Sequence, residues 1–307
     1  MSELRVLLAD YLALRRSLGY KLERAEKLLV DLVGQLEASG ASHMTTGAAL
    51  SWAVLPAGAS SRWRAQRLGV ARCFARYCNA ADPEHQVPPA GLVPRGNGRR
   101  APFLYSEAQV SALMEAARRL RRPLRAATLE AVIGALAVTG LRVREVVRLD
   151  DADVDFEQGS LTVRCSKAGK SRVLPLHPST VAALRSYACL RDRRYPRPKT
   201  TRFFVSSTGT ALRTGNLDAA FAEVLELAGL GNTSGRRPRL GDFRHSFAVA
   251  ALVAWHLAGD DVNAKLPVLS AFLGHASQVS TYWYLSASPE LLSAAARRLE
   301  ARGGDQQ

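Results

Sequence analysis

Chemistry-bearing side chains recur along the last two thirds of the chain. They are Arg142 in TGLRVRE, Lys167 in SKAGKSRVLPL, Arg244 in GDFRHSFAVAALVAW, His275 in LGH, and the cluster Tyr282, Trp283, Tyr284, whose last member stands nine residues beyond that histidine. A phenol is a nucleophile when its proton is removed and a core filler when it is not. Arg142 follows an apolar helix and a glycine turn. It either pairs with Glu145, three residues on, or faces something anionic. Arg244 lies on a helix that is apolar on most sides, so it must be paired or open to a cleft, because an unpaired buried charge is very costly. Lys167 sits between two strand-like runs with Lys170 and Arg172 beside it, as a solvated turn would. His275 follows Gly274 at a helix end, where a structural histidine is equally ordinary. Singly, each residue has a bland explanation.

The elements that must position these residues are mostly helical. Residues 4 to 39 predict two helices broken at Gly19, the second carrying the 3.6-residue stripe Ala25, Leu28, Leu29, Leu32, Val33 and Leu36. A short helix over 46 to 55 stops at Pro56. A longer one, capped by Ser60 or Ser61, runs to about Asn79. That helix bears Arg62, Arg64, Arg67, Arg72 and Arg76 with no acid before Asp82, which reads as a phosphate-tracking face rather than a merely solvated one. The stretch PEHQVPPAGLVPRGNGRRAP, rich in Pro and Gly and ending in Arg99 and Arg100, reads as a linker. Beyond it, SEAQ at 106 to 109 is a capping box for a helix to about Leu120. A helix over about 124 to 138 follows. SLTVRC and SRVLPL form a hairpin around SKAGK. RFFVSS is a candidate short strand. Helices are expected over 179 to 192, 215 to 229, 242 to 257, 266 to 273 and 289 to 301. The division is 1–85 helical, 86–104 linker, 105–302 mainly helical with a small antiparallel β-sheet, and 303–307 a tail.

Composition bounds the partners. Lys and Arg number 42 against 27 Asp and Glu, a formal charge of +15 spread over many segments, and a folded chain this basic commonly meets a polyanion such as nucleic acid. The start, Met1-Ser2-Glu3, leads into charged helix without a signal-like apolar core, and no window is long and apolar enough for a membrane span. Cys73, Cys78, Cys165 and Cys189 lack CxxC spacing and neighbouring histidines, so reduced thiols, no metal site and a cytoplasmic location are expected.

The order of the boxes is more specific than any one residue. Read together, TGLRVRE, SKAGKSRVLPL, DFRHSFA and LGH followed nine residues later by Tyr284 resemble the tyrosine recombinase (phage integrase) family over about 105 to 295. The wording DVNAKLPVLSAFLGH is further similar to recombinases of the three-gene elements called recombinase-in-trio. The resemblance implies a two-domain DNA clamp, with a helical core-binding domain over 1–85 and a catalytic domain after the linker. It implies that Tyr284, rather than Tyr282, attacks a DNA phosphodiester to leave a 3′-phosphotyrosine and a free 5′-hydroxyl, with no metal, ATP or other cofactor. Arg142 and Arg244 would clamp the non-bridging oxygens as planar forks. His275 would donate a hydrogen bond, and Lys167 would protonate the leaving oxygen, a contribution of typically ~10²–10⁴-fold. Arg62, Arg64, Arg67, Arg72, Arg76, Arg99, Arg100, Lys170 and Arg172 are the expected DNA contacts. The partner is double-stranded DNA, bound by a homo-tetramer or a mixed tetramer with related recombinases, with no membrane and a nucleoid-associated location. The last helix, 289 to 301, would dock in cis or on a neighbouring protomer.

One position departs from the pattern. Where the family has histidine three residues before its second arginine, this chain has Gly241, and losing such a group costs on the order of 10²-fold. His245 points about 100° away on a helix and reads as a core residue. Gly241 supports a second reading, a catalytically weak DNA-binding accessory protein; a type IB topoisomerase, of similar chemistry, is a third, against which the N-terminal helical domain and the hairpin wording favour recombinase or integrase.

Overall fold

The structure, a computed structural model, describes residues 2–55, 57–94, 102–164, 171–231, 237–275 and 281. The chain divides into two compact units, Met1–Arg100 and Ala101–Gln307. Among the described residues the architecture is mainly α with one small antiparallel sheet, as expected.

In the first unit, α1 (Glu3–Ser17) opens on Ser2, whose hydroxyl accepts the Arg5 N–H, with Glu3 in its first turn and Arg15 and Arg16 in its last. Both charge placements suit the helix dipole. In α2 (Glu23–Ala38) the predicted stripe is buried as Leu28, Leu29, Leu32, Val33 and Leu36. Thr45 caps α3 (Thr46–Val54), and Ser60 caps α4 (Ser61–Ala81) by accepting the Trp63 N–H. Trp52, Phe74, Leu29, Leu32 and Leu68 fill the core. Part of the Pro- and Gly-rich stretch is folded back onto this unit. Gln86 N–H bonds the Met44 carbonyl, Arg72 donates to the Pro88 and Pro89 carbonyls at 2.7 Å each, and Val87 and Val93 pack on the core.

The second unit is built around α6 (Pro123–Thr139), which starts with Pro at its first turn and buries Leu124, Leu129, Val132, Ile133 and Leu136. Each leucine so buried contributes about 1.5–3 kcal/mol. Before it, α5 (Glu107–Arg118) carries the complete capping box between Ser106 and Gln109. After it come α7 (Val143–Val146), β1 (Val154–Asp155), β2 (Ser160–Val163), β3 (Arg172–Pro175), α8 (Pro178–Arg194), α9 (Thr214–Leu227), α10 (Phe243–Leu257) and α11 (Val262–Leu273). The strands pair antiparallel in the order β1-β2-β3, with Leu161 opposite Leu174 and Val163 opposite Arg172. Helix α6 packs against α5, α8, α9 and α10.

Two expectations are corrected. RFFVSS makes only isolated bridges, Asp150 with Arg202 and Val205 with Ala211. Side chains satisfy Val205 instead: its N–H donates to the Tyr187 hydroxyl and its carbonyl accepts from Thr128, so no ladder is required. Helix α11 begins at Val262, four residues before the expected 266, because Asp261 accepts the N–H groups of Asn263 and Ala264. The expected helix over 289 to 301 lies outside the described residues.

Candidate active site

Two glycine caps set the frame. Helix α6 ends at Gly140, φ 59°, and α11 at Gly274, φ 67°, the left-handed conformation that glycine adopts without strain. Both are also crowded. A Cβ on Gly140 would lie 2.7 Å from Phe247 and 2.9 Å from Leu273, and one on Gly274 would lie 2.6 Å from the Arg172 guanidinium. The chain leaves the first cap toward Arg142, the residue preceding α7, and the second directly into His275.

Helix α11 ends with carbonyls that lack intrahelical partners, and three arginines from three elements take them. Arg172, on β3, donates Nε–H to the Phe272 carbonyl at 2.7 Å. Arg244, in the first turn of α10, donates to Leu273 at 2.5 Å and also to Gly140 at 2.9 Å. Arg142 donates to Gly274 at 3.0 Å. Cations at a helix C-terminus satisfy the open carbonyls and oppose the negative end of the dipole.

Glu145 ties two of the three together, Arg142 and Arg172. Its buried carboxylate accepts from the Arg142 backbone N–H at 3.0 Å, the Arg142 guanidinium at 2.7 Å, and Arg172 at 2.9 and 3.3 Å. Burial pushes this carboxyl up, but the donors, Arg172 foremost, bring it net below the usual carboxylate range. Three guanidiniums against one carboxylate leave a formal charge of +2. The Arg142 side chain is 27% exposed against 11% for Arg172, so Arg142 is the more open of the two. Such a cluster, charged, held and partly desolvated, favours an anionic oxygen.

His275 completes it. Its backbone N–H bonds the Ser270 carbonyl at 2.9 Å, and its Nδ1 lies 2.7 Å from the Thr281 hydroxyl. Burial, then the charges of Arg244, Arg142, Arg172 and His245, hold its pKa down at about 4, so the ring is neutral near pH 7.

The structure thus brings Arg142, Arg244 and His275 together. Glu145 is paired with Arg142, as the sequence allowed, but its second partner Arg172 was not foreseen. Arg172 had been expected as a DNA contact of the hairpin. It is instead turned inward, and the signal was there: on a strand it shares a face with Leu174, which is fully buried. Thr281 was also missed. His245, set aside as a core residue, is half-buried and near enough to His275 for its charge to count. Gly241 lies in a 3₁₀ turn (Leu240–Asp242) before α10, exposed, and a Cβ there would meet none of the described residues within 4 Å. Tyr284, Lys167, Lys170, Arg99 and Arg100 lie outside the described residues.

In the first unit Arg62 and Arg76 are exposed and Arg64 half-buried. Arg67 is the correction. It is 7% exposed, stacks 3.9 Å over the Trp52 ring, and donates to the Trp52 carbonyl at 3.0 Å and to Asp31 at 3.3 Å. It shares the face of Ala71, Phe74 and Cys78, all buried, so it belongs to the core side of α4. Arg72 is occupied by the proline carbonyls. The five-arginine face is therefore narrower than its charge pattern implied.

His43, Asp82 and His85 offer ligand atoms within 4.8 Å of one another. Nδ1 of His85, however, accepts the Met44 N–H at 3.0 Å, which leaves the proton of the neutral ring on Nε2, facing Asp82. A ring in that tautomer has no lone pair to give a cation.

The phage integrase family profile matches residues 104–290. The chain belongs to this family, that of the tyrosine recombinases. It is 42% identical over 312 residues, covering 99% of each chain, to a Sinorhizobium fredii protein, y4rB, named as an integrase/recombinase. Solved structures share its fold: the Tn1549 transposon integrase in complex with transposon right end DNA (TM-score 0.67, 16% identity, 98% of this chain and 99% of that one), and a lambda integrase tetramer bound to a Holliday junction (TM-score 0.59, 17% identity, 92% and 76%). No helix among the described residues is long and apolar enough to cross a membrane.

Proposed function

We propose that this chain is a site-specific DNA recombinase or integrase of a mobile element, acting through a 3′-phosphotyrosyl intermediate. The observation that carries the reading is the cluster of Arg142, Arg172, Arg244 and His275 at the end of α11, where Glu145 pairs with Arg142 and Arg172 and the formal charge is +2. Family membership and the similarity to named integrases support it. In the reaction, the Tyr284 oxygen loses its proton to solvent and bonds to phosphorus while the P–O5′ bond breaks, and Lys167 gives a proton to the departing oxygen. Arg142 and Arg244 hold the non-bridging oxygens, whose negative charge grows in the transition state. The neutral His275 donates a further hydrogen bond. The ester is conserved as a phosphotyrosine, so rejoining draws on no external energy.

Double-stranded DNA is the proposed partner, contacted through Arg62, Arg64 and Arg76 among others. A tetramer on DNA is proposed because exchange between two duplexes involves four cleavages; the lambda integrase tetramer on its junction is consistent with that number. The same reading places the protein on the nucleoid.

Open space at Gly241 favours a second reading, a slow or accessory member of the family. A nicked suicide substrate carrying the ends of the encoding element tests both. A covalent adduct on a denaturing gel, lost in Tyr284→Phe, is expected from the wild type. Gly241→His is expected to speed cleavage, since it restores the family's histidine where a Cβ meets none of the described residues within 4 Å. No adduct from the wild type but one from Gly241→His would give the accessory reading. No adduct from either would overturn the recombinase.

A further inference from the structure

Thr281 is 1% exposed, and its hydroxyl lies 2.7 Å from Nδ1 of His275. It also stands three residues before Tyr284 in the sequence. A neutral imidazole has a single N–H, and the hydrogen bond made by one nitrogen decides where that proton sits. If the hydroxyl accepts from Nδ1–H, Nε2 carries a lone pair, which an anion at the cluster would repel. If the hydroxyl donates, the proton is on Nε2 and can be given to an anionic oxygen.

We propose that the Thr281 hydroxyl donates to Nδ1 of His275 and so holds the ring in the Nε2–H tautomer, as a neutral hydrogen-bond donor for the scissile phosphate. Thr281 is then a positioning residue, acting through His275, and its role rests on the recombinase reading above. The surroundings favour a neutral donor over an imidazolium. Arg142, Arg172 and Arg244 crowd the ring with positive charge, His245 adds to it when protonated, and Glu145, the carboxylate of the cluster, is engaged by Arg142 and Arg172. With the charge supplied by guanidiniums, what remains for the histidine is direction, and a buried hydroxyl at 2.7 Å is a means of fixing it.

The test separates tautomer from turnover. Nitrogen-15 imidazole shifts of the full-length protein at pH 7, with His275→Gln to assign the signal, read the tautomer without any DNA. The expected result is Nε2–H in the wild type and in Thr281→Ser, and a mixed or Nδ1–H population in Thr281→Val, which keeps the shape and loses the hydroxyl. Adduct formation should fall roughly tenfold in Thr281→Val, the scale of one neutral hydrogen bond, and return in Thr281→Ser. An Nδ1–H or imidazolium signal in the wild type, or a Thr281→Val protein with unchanged tautomer and rate, overturns the proposal. If the wild type forms no adduct at all, the recombinase reading fails on the gel while the shifts still decide the tautomer.

Discussion

Glu145→Gln is the sharpest probe of the arginine cluster. The carboxylate accepts four hydrogen bonds from Arg142 and Arg172. Glutamine keeps the shape but has one acceptor oxygen, and its amide N–H groups would face guanidiniums. The formal charge of the three arginines rises from a net +2 to +3 in a largely buried place. Breaking a buried pair by removing one partner costs about 3–5 kcal/mol. A unit of this size loses roughly 2–4 °C in melting temperature per kcal/mol, so a drop on the order of 10 °C is expected. Calorimetry should place the loss in the transition of the second unit. Arg172→Met alone should also destabilise, yet the double variant should lose less than the sum, because removing one guanidinium with the carboxylate returns the net charge from +3 to +2. Inorganic phosphate should raise the midpoint of Glu145→Gln more than that of the wild type, since the uncompensated guanidiniums attract it. A Glu145→Gln protein within about 0.5 kcal/mol of wild type, or strict additivity with Arg172→Met, would refute the claim that this carboxylate holds the cluster.

Gly140→Ala should destabilise the second unit by about 1–3 kcal/mol, since its Cβ meets Phe247 and Leu273 and φ is positive; an unfolding midpoint equal to wild type would contradict it. Arg67→Ala should lower the stability of the first unit by about 2 kcal/mol through lost stacking and hydrogen bonds, whereas Arg62→Ala should leave stability alone and reduce the salt dependence of DNA affinity by about one phosphate contact; the reverse pattern in melting and binding curves would show that the two arginines had been misassigned. His275, with its pKa depressed to about 4, contributes stability that is present above about pH 6.5 and is lost as pH falls through about 4, because the unfolded chain then takes a proton that the folded site refuses. His275→Gln should therefore gain on the wild type by about 2 kcal/mol, allowing for solvent screening, between pH 7 and pH 4.5; parallel stability curves for the two proteins would count against a neutral buried ring.

Local signals were the legible part of the fold. The Ser106–Gln109 box, the Ser60 cap, the α2 stripe and the β2–β3 pairing each depend on residues within a few positions, and each appears as written. RFFVSS was misread because two adjacent phenylalanines look like a strand, while the bonds that satisfy Val205 come from Thr128 and Tyr187, far off in the sequence. The apolar run places the start of α11 at 266, but the cap that opens it is Asp261, whose carboxylate accepts the N–H groups of Asn263 and Ala264.

The site was legible where chemistry is tied to spacing and opaque where it depends on tertiary contacts. Arg142, Arg244 and His275 sit in recognisable boxes. That Arg172 joins them could be suspected from strand parity, but not that its partner would be a carbonyl 100 residues away. An arginine in a basic sequence is ambiguous in just this way: the same guanidinium suits a phosphate oxygen or an open helix carbonyl. In α4 the core register of Arg67 decides for the interior. At the end of α11 the proposed function would make both uses converge, because the carbonyls of Phe272, Leu273 and Gly274 hold three guanidiniums in place. These cations are fixed by the protein's own backbone before any phosphate arrives, so little reorganisation remains when an anion binds, and that is the condition under which fixed charge stabilises a transition state best.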